Sequence, residues 1–120
     1  MKIAVTSSGA TLDAPVDPRF GRAAWFVVVE VATGAFTVHD NTQNLNAAQG
    51  AGIQTAETVS RLGVEVVITG HCGPKAFRAL QVAGIQAVTG ATGTVREAIE
   101  RFQKGEVKQA TSADVEGHWA

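Results

Sequence analysis

Apolar residues fall along this chain first in short runs and later in alternation with helical patterns. The run Ile3 to Thr6 is brief, partly β-branched and closes on Ser7-Ser8-Gly9, which predicts a buried strand feeding a polar loop over 7–22. The segment AAWFVVVEV strings β-formers together, and after the turn ATG the segment AFTVHD alternates Phe36 and Val38 with Thr37 and His39. Those two segments predict a hairpin. The stretch NTQNLNAAQGAG has no periodicity and predicts a second loop, leading into a helix over 52–62 that Gly63 stops. Strand and helix then alternate: VEVVIT, a helix over 74–83 with Gly84 at its end, IQAVT, and a helix over 94–104 with Gly105 at its end. Thr94 and Glu97 have the spacing of a capping box at the start of the last helix.

The predicted order is β-β-β-α-β-α-β-α, a meander followed by two crossovers, and right-handed crossovers leave few arrangements for it. The fold class expected is α/β: a ribonuclease-H-like mixed five-stranded sheet with helices on its faces, the first strand central. Residues 1–105 form one domain in this reading, and 106–120 a polar C-terminal tail containing His118 and Trp119. Strands 1, 3, 4 and 5 would then point the same way. Loops 7–22, 41–52, 70–73 and 90–93 would gather on one edge, where open α/β sheets place ligands.

Composition changes this picture little. A chain of 120 residues can bury roughly two-thirds of the surface its unfolded form exposes, so no disulfide or structural metal is needed. Ten basic and eleven acidic residues give a formal charge of -1, which does not point to nucleic acid or an anionic membrane as partner. One cysteine excludes an internal disulfide framework and a multi-thiolate zinc site. The start MKIAVTSSG has too short an apolar run for a signal peptide or a membrane span, so the expected location is cytoplasmic. The expected state is a monomer or weak dimer.

Candidate chemistry narrows by exclusion. A ribonuclease-H-type nuclease needs carboxylates on the sheet for two metals, and strand 1 has none, while strand 4 has only Glu65 at its entrance. Asp13 and Asp17 lie in a loop with Pro15 and Pro18 and read as turn-forming carboxylates. GAGIQT lacks the third glycine and the preceding strand of a dinucleotide motif, and GHCGPK lacks the spacing and hydroxyl of a P-loop. Positive and amide-rich features remain. Arg19 and Arg22 flank Phe20-Gly21, and three helices start on the expected edge near Gly52, Gly73 and Gly93, where free N–H groups and helix dipoles favour an anion. The competing reading pairs Arg19 with Asp17 on the surface and assigns the glycines to turns alone.

Cys72 has three readings: a nucleophile beside His71, a soft ligand whose thiolate is favoured by the helix start after Gly73-Pro74, or a buried inert thiol. His71 is a metal ligand in one reading and a partner of a loop carbonyl in the other.

DPRFGRAAWFVVVE, GAGIQTAETVSRLGVEVVITGHCGPKAFRALQVAGIQAVTG and GTVREAIERFQKGEV together resemble the dinitrogenase iron-molybdenum cofactor biosynthesis family over nearly the whole chain. The resemblance implies a ribonuclease-H-like fold and a non-enzymatic binding or carrier protein. Its cargo would be an anionic molybdenum-containing metal-sulfide cluster of the molybdenum-copper type, held mainly without covalent ligands. The residues implied to face it are Arg19, Phe20, Gly21, Arg22, Gly52, His71, Cys72, Gly73 and Gly93, with His71 and Cys72 as the metal-ligand candidates. Cofactor-carrying relatives often have His-Phe-Gly where this chain has Arg19-Phe20-Gly21, which replaces a nitrogen ligand with a charge. The alternative is a regulatory or interaction module working with a partner such as a nucleotide-binding ATPase. A cysteine-dependent enzyme ranks third.

Overall fold

The computed structural model describes residues 1–41 and 51–106. Its elements follow the expected order: β1 (Lys2–Ser7), β2 (Trp25–Glu30), β3 (Phe36–Asp40), α1 (Ala51–Arg61), β4 (Val66–Ile68), α2 (Pro74–Val82), β5 (Gln86–Val88) and α3 (Val95–Gln103). The sheet order is β3-β2-β1-β4-β5, so β1 is central as expected. It pairs antiparallel with β2 (Val5 opposite Val27) and parallel with β4 (Ile3 opposite Val66, Val5 opposite Ile68). β2–β3 is antiparallel and β4–β5 parallel, which makes a mixed sheet.

The period-two alternation of strand side chains divides the core into two layers. Ile3, Val5, Val27, Val29, Val66, Ile68 and Val88 face one side, where α3 covers them with Val95, Ala98 and Ile99. Ala4, Phe26, Val28, Val67 and Ala87 face the other, under Ala56 and Val59 of α1 and Ala76, Phe77 and Leu80 of α2. Because both faces of β1 are covered, its sequence is an unbroken apolar run rather than an alternating one. β3 behaves otherwise. It is an outer strand of the expected hairpin, and Phe36 and Val38 are exposed.

Gly84 (φ +75°) and Gly105 (φ +74°) end α2 and α3 in the left-handed conformation that their positions suggested. The capping box is present: Glu97 N–H donates to Thr94 Oγ1 at 3.2 Å and Thr94 N–H to Glu97 Oε1 at 3.0 Å. Among the described residues no helix is long and apolar enough to cross a membrane. Most of the loop expected over 41–52 and all but Glu106 of the expected tail, His118 and Trp119 included, lie outside the described residues.

Candidate functional site: a loop laced across the sheet edge

β1, β3, β4 and β5 run in one direction, so their carboxyl ends share one edge with the start of β2. The long segment between β1 and β2 crosses that edge as a series of short backbone pairings. It first folds back along β1, where Ser7 bridges Val16 and Asp17 N–H donates to the Thr6 carbonyl at 2.9 Å. Next it meets the start of α3: Pro15 bridges Thr94, and Val16 N–H donates to the Gly93 carbonyl at 2.9 Å. Finally it runs beside the turn after β4. His71 N–H donates to the Pro18 carbonyl at 2.7 Å and Phe20 N–H to the His71 carbonyl at 3.1 Å, so Arg19 and His71 form a parallel bridge.

Three kinds of residue fix this lacing. Phe20 is fully buried and tilts against Phe26, with ring centroids 6.2 Å apart, which anchors the loop in the core beneath the edge. Thr6 and Thr69, both fully buried, close the strand ends. The Thr6 hydroxyl lies 2.8 Å from the Asp17 carbonyl and 2.9 Å from the Thr69 hydroxyl. Since a carbonyl only accepts, Thr6 donates to Asp17 and accepts from Thr69. Gly70 makes the close approach sterically possible. A β-carbon there would lie 2.7 Å from Pro18 Cα and 2.8 Å from its carbonyl oxygen. On the α1 side the Gly21 carbonyl accepts from the Thr55 hydroxyl at 3.2 Å, and buried Asn41 donates its side-chain amide to the Ala23 carbonyl at 2.8 Å. Gly21 and Arg22 are thereby tied to the first turns of α1, where Gly52 is buried.

The structure thus pairs Arg19 with His71 and places Phe20 and Cys72 in one core cluster. Arg19 and His71 are adjacent across the bridge, both half-buried, and Arg22 follows buried Gly21. Asp17 behaves as a turn carboxylate: its Oδ1 accepts the Arg19 N–H at 3.0 Å and lies 3.9 Å from Arg19 Nε. That second contact is at the outer limit of an ion pair, and 43% of the Arg19 side chain remains exposed, so its charge still faces solvent.

Two expectations need adjustment. Cys72 is fully buried in the cluster with Ala4, Phe20 and Phe26, its sulfur 3.7 Å from the Gly73 carbonyl, so its surroundings match the buried thiol among the three readings. Nor are all three helix starts free. The amides of Val95 and Arg96 donate to the Ala14 and Leu12 carbonyls (3.0 and 2.8 Å), and that of Glu97 to Thr94, so the incoming loop has consumed the N-terminus of α3. Glu97 itself places a carboxylate beside Gly93, held below the ordinary glutamate range by hydrogen bonds from the Thr94 backbone and side chain, with Arg101 adding to the effect. Gly93 therefore lies where an anion meets negative charge. The start of α2 differs: Gly73 caps it without a side-chain hydrogen bond, Pro74 has no N–H to satisfy, and its first turn holds no acid. Among the described residues no three His, Cys, Asp or Glu side chains converge as a metal-ligand set.

Sequence reasoning missed the residues that build the edge rather than face it. Thr6 and Thr69 left one signal, a β-branched polar residue closing each apolar strand run; Gly70 and Asn41 left none, because their role is a contact with a distant segment.

The fold and this edge define a small α/β domain that presents cations and a helix start without a side-chain cap at the carboxyl ends of its strands. The chain belongs to the dinitrogenase iron-molybdenum cofactor family, whose description matches residues 1–105. This bears out the resemblance carried by the first loop and the GHCGPKAF turn. In solved structures the chain is similar to the apo form of the orange protein from Desulfovibrio gigas, at 47% identity and a TM-score of 0.93, over 95% of this chain and 96% of that one. It is also similar to a putative NifB protein from Thermotoga, at 33% identity and a TM-score of 0.84, over 97% and 98% of the two chains. An uncharacterized protein of Methanocaldococcus jannaschii is 29% identical over 111 residues, 91% of each chain. Membership of a family described by a metal-cluster cofactor points to a cofactor-binding or carrier role.

Proposed function

We propose that this chain is a non-enzymatic cytoplasmic carrier that binds an anionic molybdenum-containing metal-sulfide cluster, of the molybdenum-copper type, at the laced edge of a ribonuclease-H-like sheet. The observation that carries the reading is the Arg19–His71 backbone bridge, which pairs a cationic and an imidazole-bearing residue two positions before Gly73, the N-cap of α2, which makes no side-chain hydrogen bond. A thiometallate is bulky, soft and multiply charged. Such an anion is held by spread positive charge and N–H donors, and Arg19, Arg22, His71 and the turn at Gly73 supply both. The donor set fits electrostatic capture better than coordination, since Cys72 is buried and no three ligand side chains converge among the described residues. Phe20 anchors the loop that carries the two arginines, and Gly21 fixes it to α1 through Thr55, rather than either serving as a contact.

Anaerobic incubation with tetrathiomolybdate and copper, followed by gel filtration, tests this reading. A charge-transfer absorption that co-elutes with the protein is expected, with molybdenum and copper in the same fractions; colourless, metal-free fractions would sink it.

A further inference from the structure

A second feature lies away from the loop edge, on the face covered by α1 and α2. The two helices pack against one another and leave between them an open groove of about 650 Å³. α1 contributes Ile53, Ala56, Glu57, Ser60 and Arg61, at spacings of three and four that make one continuous helix face. α2 contributes Lys75, Arg78, Ala79 and Val82 in the same way. Its opposite face, Ala76, Phe77 and Leu80, is the one buried on the sheet. The groove is therefore walled by two complete helix faces. Because each helix returns the chain from the carboxyl ends of the strands to the start of the next strand, both run the same way, and the groove leads away from the laced edge.

We propose that this groove docks an acidic amphipathic helix of a partner protein. Its floor is apolar, and Val82 is 84% exposed, more than any other large hydrophobic residue described. Its rim has three cations, Arg61, Lys75 and Arg78, against one acid, Glu57, on a chain whose formal charge is -1. A third helix laid between two others packs at about 8–10 Å from each, and the nine-residue α2 gives it about 13 Å, some two to three turns, to lie along. An extended peptide would need a free strand edge for its backbone, and the walls of this groove are helix side chains. A second copy docking groove to groove would set cation against cation. The partner that complements the groove has leucine-like residues on one helical face and glutamate or aspartate flanking them.

The test is a titration of the ¹⁵N-labelled full chain with a synthetic acidic amphipathic helix peptide, read by amide shifts and by anisotropy of the labelled peptide. Saturable binding is expected, with shifts confined to α1 and α2 and with affinity falling as salt rises. Lys75→Glu with Arg78→Glu should weaken binding at least tenfold without changing the far-ultraviolet circular dichroism, since glutamate is a good helix former at both positions and is favoured at Lys75 in the first turn. Val82→Ser should weaken it by a smaller factor, and Arg19→Ala with Arg22→Ala should leave it unchanged, which separates this inference from the cluster-binding reading. Shifts centred on β3 or the loop edge, equal binding of a scrambled peptide, binding indifferent to the double charge reversal, or occupancy by a short-chain fatty acid with no peptide binding would each overturn it.

Discussion

Gly70 and Cys72 show how differently a residue's chemistry and its place can weigh. Gly70 carries no chemistry, yet it lets Pro18 approach and so sets the Arg19–His71 bridge. Gly70→Ala should cost about 1–3 kcal/mol, because the added carbon meets backbone rather than a flexible side chain. A lower urea midpoint together with shifted His71 ring resonances checks this; an unchanged midpoint contradicts it. Cys72 drew notice as the sole thiol, and the structure places it out of reach of solvent. It should react with an aromatic disulfide reagent only as fast as the protein opens, and at once in concentrated urea; rapid reaction of the folded protein would contradict its burial. The close approach at Gly70 was not legible in the sequence, and the buried thiol was one of three readings of Cys72 that GHCGPKAF left open, because burial depends on what Phe20 and Phe26 bring from elsewhere.

The helices separate into two kinds at their N-termini. α3 starts as a self-contained unit, with a capping box inside its own sequence, and this start was read correctly because every part of it is local. What the sequence could not give was the loop that takes up its remaining amides, since the bonds to Leu12 and Ala14 join residues some eighty positions apart. Thr94→Ala should destabilise the protein by about 1 kcal/mol, measurable in a denaturant titration. Glu97 adds a pH dependence whose sign follows from its lowered carboxyl pKa. Its contribution is fully present above the ordinary glutamate value of 4.5 and is lost as pH falls through the lowered folded-state value. Glu97→Gln should therefore flatten the acid limb of the stability profile relative to the native chain, and an identical limb in both would show that the cap is not formed. α2, with no such acid, keeps its positive end toward the edge.

At the scale of the whole molecule, order and direction of the strands were readable because each apolar run is bounded by its own turn residues, and crossover handedness then leaves β1 central. That order places the loops carrying Arg19 and His71 on one edge, while their pairing comes from the way the first loop laces across it. The exposure of β3 does not follow from the order, because alternation records which residues could be buried and not whether any helix arrives to cover them. The central claim is that the laced edge holds its anion by charge and not by the thiol. It is tested most directly by one anaerobic titration of tetrathiomolybdate and copper into the native chain, Arg19→Ala with Arg22→Ala, and Cys72→Ser, read by charge-transfer absorption of the protein-bound fraction. Two charge-assisted contacts are worth about 1.5–3 kcal/mol each, so the double arginine variant should bind at least tenfold more weakly and the native chain should lose affinity as salt rises. Cys72→Ser should bind as the native chain does. Native affinity in the arginine variant, or loss of the cluster on Cys72→Ser alone, would contradict the claim.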